Sequence, residues 1–158
     1  MNNNLNIASK PKMIKRSLAR LVAVQILFQK DFNQNISIDQ IKEDVIDNYI
    51  IDCQDEVKSY RAKIDNNFLD KIISNILNVA DIIDDKISQN LKNGWKISDL
   101  DKTILQILRC AIFELNYFDK IPAKVVIDEY VSIAASFFDE NKVKFVNATL
   151  DKISKNLS

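Results

Sequence analysis

Apolar side chains recur at steps of three and four along most of this chain, the spacing of one buried helical face. Ile14, Leu18, Leu21, Val24, Leu27 and Phe28 keep that step and predict a first helix from about Lys12 to Phe32, with these residues on its buried side. Ser37 followed by Gln40 is a capping-box pattern, and it opens a second helix whose apolar side is Ile41, Val45, Ile46 and Tyr49. Periodicity weakens from Asp52 to Asp65, which predicts a connection with one helical turn. Phe68, Leu69, Ile72, Ile73, Ile76 and Leu77 restore the pattern, and Ala80, Ile83, Ile87 and Leu91 carry it past an expected break near Val79. Gly94 is expected to follow that helix as its left-handed C′ residue, with Trp95 folding back on the last turn. Ser98 is expected to cap the next helix, where Leu100, Ile104, Ile107, Leu108, Ala111, Ile112 and Leu115 are nearly continuous, so this helix should be the most buried and central one.

The stretch from Ile121 to Ile153 predicts a helical hairpin. Pro122 suits a first helical turn, and Val126, Tyr130, Ile133 and Phe137 form one stripe. Asp139, Glu140 and Asn141 interrupt it, with Asn141 as the expected N-cap of a last helix whose stripe is Val143, Val146, Leu150, Ile153 and Leu157. One end of this hairpin would present Lys142, Lys144 and Phe145, because Phe145 lies well off the Val143–Val146–Leu150 line at about 100° per residue.

Composition narrows the class. A single glycine and two prolines leave too little turn punctuation for an all-β chain, so the expectation is an all-α bundle of about seven helices. At 158 residues one domain is expected, spanning 10–158, after an Asn-rich N-terminal tail at 1–9 that should be disordered. No apolar run approaches the roughly 20 residues of a membrane span and the N-terminus lacks an apolar signal core, which predicts a cytoplasmic protein. Cys53 and Cys110 have no metal-ligand spacing; Cys110, in an apolar helix, reads as a buried structural thiol. Histidine is absent, which removes the commonest general base and transition-metal ligand, and one glycine cannot build a phosphate-cradling loop. The pair Asp84–Asp85 has no partner motif and reads as solvent-facing charge. No enzyme activity, metal or cofactor is expected.

The formal net charge of zero conceals a separation. Residues 1–30 carry Lys10, Lys12, Lys15, Arg16, Arg20 and Lys30 with no acid, a charge of +6, and the remaining 16 bases against 22 acids give −6. Lys12, Arg16 and Arg20 follow one another at steps of four and form one row, with Lys15 beside it. Cations near a helix N-terminus oppose the macrodipole, so a polyanionic partner explains the row better than helix stability does.

Several separated segments resemble one family. R-S-L-A-R-L-V-A-V-Q-I-L-F near the N-terminus, I-L-R-C-A-I-F-E-L, then K-V-V-I-D-E, K-F-V-N and L-D-K stand in the order found in NusB-type transcription antitermination factors. The resemblance implies two packed helical subdomains that bind boxA-type single-stranded RNA of ribosomal RNA transcripts together with the small-subunit ribosomal protein NusE. Other Nus factors and RNA polymerase would be reached through that complex, and the free protein would be a monomer or weak dimer. By motif position the RNA-binding residues would be Lys12, Lys15, Arg16, Arg20, Phe28, Asn141, Lys142, Lys144 and Phe145, and the partner-binding residues Leu100, Asp101, Ile104, Glu140 and Phe145. Ser17 and Leu18 stand where many members have more arginine, and Asn141 where many have aspartate. Two other classes stay open: an RNA-binding accessory domain of the kind attached to rRNA cytosine methyltransferases, and a helical protein-interaction module with no RNA role.

Overall fold

The computed structural model describes residues 11–52 and 64–157, with side chains for 15–48 and 64–157. Seven α-helices lie among the described residues: α1 Pro11–Phe32, α2 Ile38–Asp52, α3 Asn66–Asn75, α4 Ala80–Gln89, α5 Lys102–Tyr117, α6 Ala123–Phe137 and α7 Glu140–Lys155. Two 3₁₀ turns, Ile76–Val79 and Ile97–Asp99, complete the regular structure there, and the all-α expectation holds. The chain divides into two compact units, Met1–Ile73 and Ser74–Ser158. The expected tail, Cys53 and most of the Asp52–Asp65 connection lie outside the described residues.

In the first unit α1 packs on α2. Ala19, Val22, Ala23, Val24, Ile26 and Leu27 of α1 are buried, as are Ile41, Val45 and Ile46 of α2. The expected stripe on α1 is rotated: Leu18, Leu21 and Phe28 are only half-buried, and the small Ala19 and Ala23 mark the deepest line. A stripe drawn through the largest apolar residues leaves these alanines out. Lys30 secures the α1–α2 turn by donating from Nζ to the carbonyls of Gln34 (2.8 Å) and Ile36 (2.7 Å). Ser37 caps α2 as expected, its Oγ accepting from Gln40 N at 3.2 Å. Asp65 caps α3 by accepting from Phe68 N at 3.0 Å, and its own N–H donates to the Lys15 carbonyl of α1 at 3.1 Å.

In the second unit α5 packs on α4, α6 and α7. Its buried residues run from Ile104 to Glu114 with only Arg109 half-exposed, so the expectation of a central helix holds. Ile107, Leu108 and Ile112 are fully buried, each contributing about 1.5–3 kcal/mol through the area removed from water. The polar groups on this helix are satisfied internally. Tyr130 Oη of α6 donates a short hydrogen bond to Glu114 Oε2, and Arg109 grips Asp84 of α4 with two bonds of 2.9 and 2.8 Å. Asp84 is therefore a half-buried interhelical partner, contrary to the solvent-facing expectation, while Asp85 is exposed. Cys110 is fully buried, and loss of solvation, with the Glu114 charge adding to it, pushes its thiol far above the ordinary range.

Several local expectations move by a few residues. The break near Val79 is present as the 3₁₀ turn, but Leu77 is 48% exposed, because a 3₁₀ turn advances faster per residue and carries it off the buried face. Asn90 ends α4, and Gly94 sits four residues further on, at φ +89° in a separate turn, so Trp95 stays exposed and does not fold back on the helix. Ser98 lies inside the short 3₁₀ turn; Asp101 caps α5, accepting from the N–H groups of Thr103 (2.8 Å) and Ile104 (3.3 Å). Asp139 takes the place expected of Asn141, capping α7 through Lys142 N at 3.2 Å, and Asn141 lies in the first turn. Phe137 is exposed. The hairpin itself holds: Val126, Tyr130 and Ile133 of α6 and Val146, Leu150 and Ile153 of α7 are buried, and the two helices pack together.

Candidate nucleic-acid interface

The basic row on α1 runs from the surface into the interior. Lys15 is exposed, the Arg16 side chain keeps 34% of its surface, and Arg20 keeps 3%. The side chain of Lys12 lies outside the described residues. Both guanidinium groups lie over one ring: Arg16 Cζ is 4.9 Å and Arg20 Cζ 5.0 Å from the centre of Phe68, which is itself 4% exposed. A ring face attracts a cation more strongly where water is excluded, so Phe68 holds both charges in place. Arg20 thus departs from the expectation of a surface phosphate ligand, because the step of four that places it in the row also carries it beneath the helix junction.

Asp65 completes the cluster. Its Oδ2 stands 3.5 Å from Arg16 Nε, close enough for an ion pair, yet that buried Nε has no hydrogen-bond partner among the described residues. The carboxylate is committed through Oδ1 to the α3 cap, so it faces Arg16 without gripping it. Phe68 and Asp65 were not singled out from sequence. D-x-x-F at a helix start was the available signal, with the aspartate as N-cap. Further along α1, the half-buried Phe28 ring lies 5.0 Å from the ring of Phe32, whose side chain is exposed.

A second basic group stands on the α6–α7 hairpin of the other unit. Lys142 Nζ lies 4.9 Å from the ring centre of the half-buried Phe138, and Lys144 pairs with Glu140 at 3.2 Å, one turn apart, with both side chains more than 70% exposed. Asn141 is exposed beside them and Phe145 is half-buried, between the surface position expected for it and a core one. Of the expected partner-binding residues, Asp101 and Glu140 are exposed, whereas Leu100 and Ile104 are buried at 8% and 4% exposure. Those two belong to the apolar side of the α5 entry, which takes them from any docking surface.

Among the described residues no group of three His, Cys, Asp or Glu side chains is placed to hold a metal ion. No helix there is long and apolar enough to cross a membrane.

Comparison with known proteins covers nearly the whole of this arrangement. The model of the NusB family matches residues 17–155. The chain is 36% identical over 145 residues to the transcription antitermination protein NusB of Novosphingobium aromaticivorans, covering 90% of this chain and 94% of the relative. Among solved structures, T. maritima NusB superposes with a TM-score of 0.71 at 34% identity, covering 89% of this chain and 90% of that one. A structure described as antitermination factors NusB and NusE in complex with dsRNA shares the fold, with a TM-score of 0.68 at 21% identity over 89% of this chain and 96% of that one.

Proposed function

This chain belongs to the NusB family, and on that premise we propose that it is an RNA-binding transcription antitermination factor acting on boxA-type RNA of ribosomal RNA transcripts together with the ribosomal protein NusE. The observation that carries the reading is the family match across residues 17–155, which takes in the basic group of α7 and begins one residue after Arg16 of α1. In this reading Lys15 and Arg16 of α1, just before the matched residues, meet phosphates. Asn141, Lys142 and Lys144 of α7 supply polar and cationic contacts, and Phe28 and Phe145 offer ring surface to unstacked bases. Lys12 lies further upstream and joins Lys15 and Arg16 by its place in the row. Asp101, Glu140 and Phe145 are the residues we assign to the protein partner.

In this reading residues 10–158 act as one RNA-binding domain of a cytoplasmic, non-catalytic factor that needs no cofactor. It is monomeric or weakly dimeric when free and reaches other Nus factors and RNA polymerase through the assembled complex. The shared fold with a solved neighbour described as NusB and NusE in complex with dsRNA supports the choice of an RNA and a NusE-type protein as partners.

The test is a salt titration of the purified chain against boxA-type single-stranded RNA, with and without purified NusE-type protein. Affinity should fall steeply with salt, by roughly 0.7 in log–log slope for each phosphate contacted, and the ribosomal protein should tighten binding. Salt-independent binding, or no response to the ribosomal protein, would refute it.

A further inference from the structure

Arg16 differs from every other described cation in how it is held. Its guanidinium lies over the Phe68 ring, one edge is buried at Nε without a hydrogen bond, a committed carboxylate stands 3.5 Å away, and about a third of the side chain still faces solvent. The ring beneath it is fixed from several directions. Phe68 lies in the first turn of α3, that turn is capped by Asp65, and the Asp65 N–H is bonded to the carbonyl of Lys15, the residue before Arg16. Arg20 fills the interior position over the same ring. The result is a guanidinium whose direction is set by its surroundings and whose outward N–H groups have no hydrogen-bond partner among the described residues, and such a group loses little rotamer freedom when an anion arrives.

Resting on the RNA-binding reading above, we propose that Phe68 and Asp65 are positioning residues for that function. The Phe68 ring presets Arg16 for one RNA phosphate, and Asp65 is a weak internal competitor that the phosphate displaces. Asp65 tethers the guanidinium by charge in the free protein, and its cap to Phe68 N persists when Arg16 turns to the phosphate. Neither residue touches RNA; both act through Arg16.

The experiment is a double-mutant cycle on the full chain, using fluorescently labelled boxA-type single-stranded RNA at low salt, with circular dichroism and thermal midpoints recorded for each variant. Arg16→Gln should weaken binding about tenfold, the loss of one charge-assisted contact. Phe68→Leu keeps an apolar side chain in the core but removes the ring, and should weaken binding about threefold. Phe68→Tyr should restore it. In the Arg16→Gln background Phe68→Leu should have no further effect, which a general loosening of the fold would not produce. Asp65→Asn retains a cap acceptor and should tighten binding about twofold to threefold in the parent, with a clearly smaller gain in Arg16→Gln. Equal effects of Phe68→Leu in both backgrounds, or tighter binding from Asp65→Asn that is independent of Arg16, would overturn the positioning roles and leave RNA binding intact. Arg16→Gln binding as tightly as the parent would remove the RNA reading of this face as well. Should Phe68→Leu fail to fold, Asp65→Asn in the two Arg16 backgrounds decides alone.

Discussion

Two sets of cations, one in each unit, are built on opposite plans. Arg16 and Arg20 share one buried ring within 5.0 Å, with half or more of their surface covered, whereas Lys142 and Lys144 are exposed near the start of α7, Lys142 lying 4.9 Å from the ring centre of the half-buried Phe138. The only described charge partner of Lys144 is one turn away on the same helix and equally exposed. A covered, stacked guanidinium has already given up most of its rotamer freedom on folding, so a phosphate meeting it costs little further ordering. An exposed ammonium on a flexible stem is strongly hydrated and must be ordered on binding. The difference teaches that charge counting misjudges such a surface: the two sets contribute similar charge to the long-range field, but the first is tied to the stability of its unit and the second is nearly independent of it.

Arg20 should give the largest effect. Arg20→Ala removes a 3%-exposed side chain from beneath the α1–α3 junction, together with its aliphatic stem and its stacking on Phe68. We expect a loss of about 2–4 kcal/mol in unfolding free energy, measured by denaturant midpoint, from lost packing and a desolvated cation–π contact. Arg20→Lys should recover only part of it, because an ammonium lacks the planar face. A midpoint unmoved by Arg20→Ala would erase the contrast between the two sets.

That burial shows where sequence reading reached and where it stopped. Every described helix was legible, since steps of three and four persist through each and the interruptions fall where helices end. The central role of α5 followed from its nearly unbroken apolar residues. Identity alone did not separate neighbouring candidates of equal propensity: Asp139 and Asn141 are both good N-caps two residues apart, as are Ser98 and Asp101 three apart, and the choice is made by how α6 and the 3₁₀ turn deliver the chain. Nor does local spacing reveal what lies across a junction. Nothing within α1 announces that Phe68, 48 positions beyond Arg20, receives its guanidinium, or that Asp84 waits for Arg109. Long-range polar partners are set by packing, and these were the features missed.

Phe145 sharpens the comparison at an intermediate scale. It is half-buried on α7, flanked by the half-buried Val143 and the buried Val146, so it takes part in both packing and surface. Phe145→Ala should cost on the order of 1 kcal/mol in stability, less than a full core truncation, and on the order of 1 kcal/mol in affinity for RNA or for the NusE-type protein. Thermal melts paired with titrations of the folded variant separate the two. A loss confined to stability would make Phe145 a packing residue only.

The smallest effect belongs to the exposed pair Glu140–Lys144. Both side chains are well solvated, 81% and 72% exposed, so their attraction is screened by water and offset by the entropy of holding two long side chains together. Glu140 also lies in the first turn of α7, where its negative charge complements the helix dipole, so Glu140→Gln removes a few tenths of a kcal/mol from two small sources. Binding should respond in the opposite direction. Neutralising Glu140 removes the ion pair of Lys144 and takes one negative charge from the end of α7 proposed to meet RNA, so RNA affinity at low salt should rise by about twofold and return to the parental value as salt is raised. Lys144→Ala should fall by a similar factor with no change in melting temperature. A shift of several degrees in either variant would mean that the pair supports the fold, and the second set of cations would then follow the plan of the first.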